Sequence, residues 1–156
     1  MPRHNCHMLH VPRCMNLKFS IAVALVNPRN RKEILVVKRP EDDDKLPGVW
    51  GLPAISLVKN ELPEAAVRRL GREKLDVEIE PIETIGIKYE DKAGYQLILL
   101  EIKCKLLFGK PDVWRAETKA TKYVDQRWTE DYSILQKAAD MGSLCSQIFL
   151  DSVVKL

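Results

Sequence analysis

The stretch Trp50–Ile79, WGLPAISLVKNELPEAAVRRLGREKLDVEI, decides how the rest of the chain is read. Trp50, Leu52 and Pro53 make a short apolar approach to a polar loop, an amphipathic helix follows, and a strand closes the segment. Pro63 suits the first helical turn, where its missing N–H would have had no partner in any case. Leu62, Ala66 and Leu70 stand four residues apart with Val67 beside them, so at 3.6 residues per turn they form one apolar stripe. Arg68, Arg69, Arg72, Glu73 and Lys74 cover the other faces. The pattern predicts a helix that breaks near Asp76 and a strand at Val77-Glu78-Ile79. Gly71 falls inside that helix, where glycine costs about 1 kcal/mol relative to alanine.

Upstream, Leu17–Val26 (LKFSIAVALV) is an apolar, β-branched run that reads as a central strand. Asn27-Pro28-Arg29-Asn30 supplies turn chemistry, and Glu33–Lys38 (EILVVK) reads as a second buried strand ending beside Arg39. Residues 40–48 (PEDDDKLPG) form a loop whose acidic run, Glu41 to Asp44, reads as solvated. Downstream, Glu83–Glu90 and Tyr95–Leu107 read as strands joined by a hairpin at Asp91-Lys92-Ala93-Gly94. Glu101 reads as an exposed strand-face residue. Phe108–Lys122 reads as a loop that borders a ligand site. Trp114 and Arg115 there either stack on and grip a nucleotide, or Trp114 folds back on the core. Tyr123–Trp128 is a short strand, Thr129 is the expected cap of a helix running to about Ala139, and Ser143 is the expected N-cap of a C-terminal helix packed through Ile148, Phe149, Val153 and Leu156.

A length of 156 residues suits one domain with a real core. With 46% hydrophobic and 30% charged residues the chain has an ordinary globular composition. A net charge of +3 favours an anionic ligand and is too small to argue for bulk nucleic-acid binding, so nucleic acid is not an expected partner. No apolar run reaches transmembrane length and no signal-type apolar core follows the basic N-terminus, so no membrane partner and a cytoplasmic location are expected. The four cysteines (Cys6, Cys14, Cys104, Cys145) then read as reduced thiols. Residues 1–14 contain all three histidines and two of those cysteines. His4, Cys6, His7, His10 and Cys14 are suitable transition-metal ligands, but their spacing matches no standard zinc motif. The alternatives are a metal site and a loose extension over 1–16 ahead of the domain at 17–156.

The loop–helix–loop resembles the Nudix box of MutT-like hydrolases: Gly, five residues, Glu, seven residues, then Arg-Glu-apolar-any-Glu-Glu-any-Gly-apolar. Glu61 falls on the first Glu, Arg69 on the Arg, Glu73 on the first member of the Glu-Glu pair and Val77 on the last apolar position. Trp50-Gly51-Leu52-Pro53 resembles the family's usual approach to the box. The box is degenerate: Ile55 stands at the Gly, Leu70 at the Glu after the Arg, Gly71 at the apolar position, Lys74 at the last Glu and Asp76 at the late Gly. A second register, with Glu64 first and Arg72-Glu73 as the Arg-Glu pair, gives up the Trp50–Pro53 anchor.

The resemblance implies an α/β class and the Nudix fold, a mixed β-sheet sandwiched between α-helices, over residues 17–156. It implies a hydrolase cleaving the phosphoanhydride of a nucleoside diphosphate linked to another group, with Mg²⁺ or Mn²⁺ polarising the phosphate. Glu73 would be the surviving metal ligand and a catalytic residue, Glu117 a loop-supplied general base, and Glu101 a carboxylate completing the metal site. Glu61 and Arg69 would brace loop against helix. Arg39, Arg72, Lys74 and Trp114 would contact the substrate, although Arg39 also reads as a solvated strand end and Arg72 and Lys74 as a solvated helix face. The alternative implied by the missing carboxylates is a non-catalytic module that binds a nucleotide or a protein. A homodimer is among the assemblies the family uses. The swap at positions 70 and 71 predicts either a slightly rotated helix or a Leu70 that plugs the metal site, and Leu70→Glu with Lys74→Glu is expected to strengthen Mg²⁺ binding.

Overall fold

The computed structural model describes residues 16–154, so the His/Cys-rich stretch 1–14 and the packing role expected of Leu156 lie outside the described residues. Seven strands form one mixed sheet: β1 (Asn16–Asn27), β2 (Asn30–Lys38), β3 (Trp50–Gly51), β4 (Ala54–Ser56), β5 (Glu78–Lys92), β6 (Tyr95–Phe108) and β7 (Asp125–Thr129). The spatial order is β3-β2-β1-β6-β5, with β4 also paired to β1 and β7 to β2. β1 and β6 run parallel from Asn16 opposite Tyr95 to Val26 opposite Lys105, and the other pairings are antiparallel. Residues 78–92, where the sequence suggested two short strands, form one strand carrying register shifts near Pro81 and Gly86.

Alternation along β1 sends its apolar residues to both faces. Ile21, Val23 and Leu25 join one core cluster with Ala66, Val67, Leu70 and Leu75 of the helical segment after β4. Ala22 and Ala24 join a second cluster with Leu135, Leu144, Ile148 and Phe149 near the C-terminus. A strand covered on both sides has to be apolar throughout, which is why the β1 run lacks a polar period.

Helix α1 (Pro63–Leu70) begins with Pro63 in its first turn and continues as a π-helical turn, Gly71–Leu75. The π turn is a widened turn of a kind often found at functional sites. Leu70 is fully buried in the first cluster. Asp76 ends the segment in the left-handed region (φ +58°), and the Val77 N–H donates to Gly71 O at 3.0 Å. Asp76 thus takes the conformation usually given to glycine at a helix C-terminus.

Gly71 overturns the propensity argument. A Cβ at this position would meet Ile79 Cγ1 and Val77 O, each at 2.9 Å. Alanine would gain about 1 kcal/mol of helix propensity but would force the helix away from β5, and overpacking costs about 1–3 kcal/mol. Gly71→Ala is expected to lower the melting temperature by a few degrees, at about 2–4 °C per kcal/mol for a chain of this size; an increase would show that the helix can shift outward freely.

At the C-terminus a 3₁₀ turn, Tyr132–Leu135, leads into α2 (Gln136–Asp140), and α3 (Leu144–Val154) follows. The cap of the first segment is Asp131, whose side chain accepts the Ser133 N–H, rather than the expected Thr129. Ser143 Oγ accepts the Ser146 N–H at 3.4 Å, the contact expected of an N-cap. The two helical layers flank the sheet, so the α/β sandwich is as the sequence reading expected.

Glu101 departs from expectation. It lies in β6 and is fully buried. It shares a face of β6 with Leu97 and Leu99, which belong to the second cluster, so it faces away from α1. Neither of its carboxyl oxygens has a hydrogen-bond partner among the described residues. Burial holds its pKa well above the usual carboxylate range.

Candidate functional site

Arg69 projects from α1 back toward the loop after β4. Its Nε donates to Glu61 Oε2 at 2.9 Å, and its Nη2 donates to Glu61 Oε1 at 3.0 Å and to Ser56 O at 2.7 Å. The Val58 N–H donates to Glu61 Oε1 at 3.1 Å. One guanidinium fork therefore ties strand, loop and helix together with the bidentate geometry that only arginine offers. The Arg69 hydrogen bond holds the Glu61 carboxyl below the usual range, and Glu61 raises Arg69 in return. Arg69 Nη1 also reaches Glu73 Oε1 at 3.4 Å. Arg69 and Glu73 line an open cavity of about 880 Å³ together with Val58 and the loop residues Glu117–Ala120.

Lys74, the next residue, points to the sheet and is 4% exposed. Its Nζ donates to Ala54 O at 2.8 Å and to the Tyr123 hydroxyl at 3.4 Å, and lies 4.8 Å from the centre of the Tyr123 ring. The same hydroxyl accepts the Ala54 N–H at 2.9 Å. Burial lowers the Lys74 pKa to about 8, helped by the positive charges of Arg39 and Arg69 and opposed by Glu73 and Asp43. The ammonium therefore remains charged at neutral pH. Burial raises Tyr123 to about 12, so its hydroxyl stays neutral.

Ala54 also borders a second cavity, of about 480 Å³, on the α3 side of the sheet. Lys18, Arg39, Lys45 and Lys92 supply positive charge there, Tyr95 an aromatic ring, and Leu97, Leu99 and Leu144 an apolar surface. Arg39 Nη2 donates to Asp43 Oδ1 at 3.1 Å, and Arg39 Nε is buried without a partner among the described residues. Asp43 also accepts the Leu46 N–H at 2.8 Å and the Lys45 N–H at 3.2 Å. Its side chain is only 6% exposed, so this member of the acidic run holds the loop instead of lying in solvent. Burial works against its ionisation, and the Arg39 bond with the two N–H groups outweighs that to keep its pKa low.

The NUDIX domain family model matches residues 18–125. The chain belongs to the Nudix family. Among solved structures it is similar to a NUDIX hydrolase from Nitrosomonas europaea, at 19% identity over 90% of each chain with a TM-score of 0.69. The E. coli ORF135 protein is similar at 19% identity, covering 88% of this chain and 91% of that one with a TM-score of 0.65. A MutT protein from Methanosarcina mazei Go1 follows at 16% identity, 90% and 96% coverage and a TM-score of 0.64. These identities carry the fold and no further. No curated protein sequence matches this chain.

Set on the Nudix box, the geometry sorts the residues singled out from the sequence. Glu61 and Arg69 form the brace. Glu73 and Glu117 share a cavity with Arg69, Arg39 lines the other, and Lys74 lines neither but donates to the carbonyl of Ala54, which borders the second. Arg72 is half exposed and lies 3.8 Å from Glu78, and Trp114 is exposed with its Nε1–H on Val124 O at 3.1 Å; neither lines either cavity. Sequence reasoning missed Tyr123, Lys45 and Tyr95, whose residue types and spacing carry no motif.

Nudix hydrolases generally use divalent metals. The donor set of this box does not fit one. Among the described residues no three His, Cys, Asp or Glu side chains gather as metal ligands. Glu73 is a single carboxylate within 3.4 Å of the Arg69 guanidinium, and the next position supplies an ammonium in place of an acid.

Proposed function

We propose that this chain is a Nudix-type hydrolase of low turnover on a nucleoside diphosphate linked to another group. The observation that carries the reading is the cavity beside Arg39. It joins an apolar surface and an aromatic ring to a cationic rim, and it abuts the box through Ala54. A nucleoside matches the Leu97–Leu99–Leu144 surface with Tyr95 at its edge. Its diphosphate matches Arg39 and Lys45, whose guanidinium and ammonium groups suit phosphate oxygens. The attacking water would be oriented by Glu73 or Glu117 from the box side, and a carboxylate in the reach of a water is the minimum general base for phosphoanhydride cleavage.

A second reading, a non-catalytic nucleotide-binding module, is favoured by Lys74 in place of the last box Glu and by the contact between Glu73 and Arg69. A panel of nucleoside triphosphates, ADP-ribose and dinucleoside polyphosphates, assayed with Mg²⁺, with Mn²⁺ and with chelator, separates the two. Slow turnover that falls by about 10²-fold or more in Glu73→Gln supports the hydrolase, since general-base contributions are of that order. Nucleotide binding without turnover under any condition replaces it with the module.

A further inference from the structure

The Nudix pattern gathers carboxylates where a divalent ion would sit, and this chain places a buried ammonium at one of those positions. We propose that the Lys74 ammonium is the resident cation of this site, so that a pyrophosphate group is received without a divalent metal. The inference rests on the reading that the cavity beside Arg39 takes a nucleotide.

Three observations carry it. The first is how firmly the charge is held. Ala54 O, at 2.8 Å from Nζ, and the face of Tyr123, at 4.8 Å, are both electron-rich, and the side chain is too buried to turn out to solvent. The second is what the ammonium excludes. A divalent ion seeks a shell of oxygen ligands. Here no three acidic side chains gather among the described residues: Glu73 is already near Arg69, Glu117 lines the same cavity from its loop, and a fixed like charge stands beside Glu73. The third is where the charge acts. Ala54 borders the cationic cavity, and Arg39 on its rim keeps a buried Nε–H without a partner among the described residues. Arg39, as a lining residue, would meet a phosphate in that cavity through its guanidinium while Lys74 adds its field from behind Ala54. Leu70, the other position where this chain lacks a carboxylate of the pattern, is fully buried in the core and has no part in this arrangement. The informative substitution is therefore at Lys74 alone.

The test measures Mn²⁺ binding by water-proton relaxation, and pyrophosphate binding by calorimetry in excess chelator, on the full chain. Wild type is expected to show no saturable Mn²⁺ site below about 1 mM, because like-charge repulsion at short range outweighs so sparse a set of carboxylates. It is expected to bind pyrophosphate in chelator. Lys74→Glu should gain a saturable Mn²⁺ site. Lys74→Met should gain none and should weaken pyrophosphate binding about tenfold, the scale of losing one partly screened charge. Submillimolar Mn²⁺ binding by wild type would overturn the proposal. So would pyrophosphate affinity that appears only with metal or is unchanged in Lys74→Met. The wild-type arms can overturn the proposal even if a variant fails to fold. Because neither readout is turnover, an inactive protein that binds pyrophosphate in chelator removes only the hydrolase reading.

Discussion

Arg69→Ala is expected to lower the free energy of unfolding by about 3 kcal/mol, at the lower end of what removing one partner of a buried ion pair costs. The two side chains are only 20% and 10% exposed, so solvent cannot readily replace the lost donor. The variant leaves Glu61 with the Val58 N–H alone and takes the donor from Ser56 O. At about 2–4 °C per kcal/mol, the melting temperature should fall by about 6–12 °C. Arg69→Lys should recover only part of the loss, because an ammonium cannot span both carboxylate oxygens and the carbonyl together. The effect should also depend on pH with a definite sign. The Glu61 pKa is lower in the folded state than its ordinary 4.5, so its contribution is present above that value and is lost as the pH falls through the folded-state value. The difference between wild type and Arg69→Ala should therefore shrink in acid. A loss below about 1 kcal/mol at neutral pH, the range of an exposed pair, would show that the brace does not hold the loop.

Glu101→Leu should have the opposite sign. A fully buried carboxyl without a hydrogen-bond partner costs about 1–3 kcal/mol even when neutral, and leucine fills a similar volume with no polar group. The variant is expected to be more stable at neutral pH by about that amount or more. Here too the sign follows from the shift. The folded-state pKa lies above the ordinary 4.5, so native stability is fully present below 4.5 and declines as pH rises toward the folded-state value. Within that interval each pH unit removes about 1.4 kcal/mol. The advantage of Glu101→Leu in urea denaturation should be smallest near pH 4 and grow toward neutrality. A destabilised Glu101→Leu would mean that the carboxyl has a partner when the protein is in solution.

These residues also show how far the sequence could be read. The strands were legible because apolar runs mark them, and family membership followed from the same stretch of sequence that carries the Trp50–Pro53 approach. The brace was legible because Glu61 and Arg69 keep their eight-residue interval. The π turn was not, since a five-residue hydrogen-bond step leaves no apolar period of its own. Gly71 read as a weakness of the helix, when its missing Cβ is what admits Ile79. Lys74 read as a solvated or phosphate-facing lysine because charged side chains are rarely buried unpaired; its partner Tyr123 lies 49 residues on, beyond any local pattern. Glu101 reads as exposed because a carboxylate is rarely fully buried without a partner. β6 lies between β1 and β5 and carries core residues on both sides, so no open face exists at that position.

Titrating the ¹⁵N-labelled chain with ADP-ribose in excess chelator, and following the backbone amides, decides whether a nucleotide lies across the cationic cavity and meets the box at Ala54 without a metal. Saturable shifts are expected at Arg39, Lys45, Ala54, Leu97, Leu99 and Leu144, unchanged when Mg²⁺ is added. Shifts that appear only with Mg²⁺, or that leave these residues untouched, would contradict that placement.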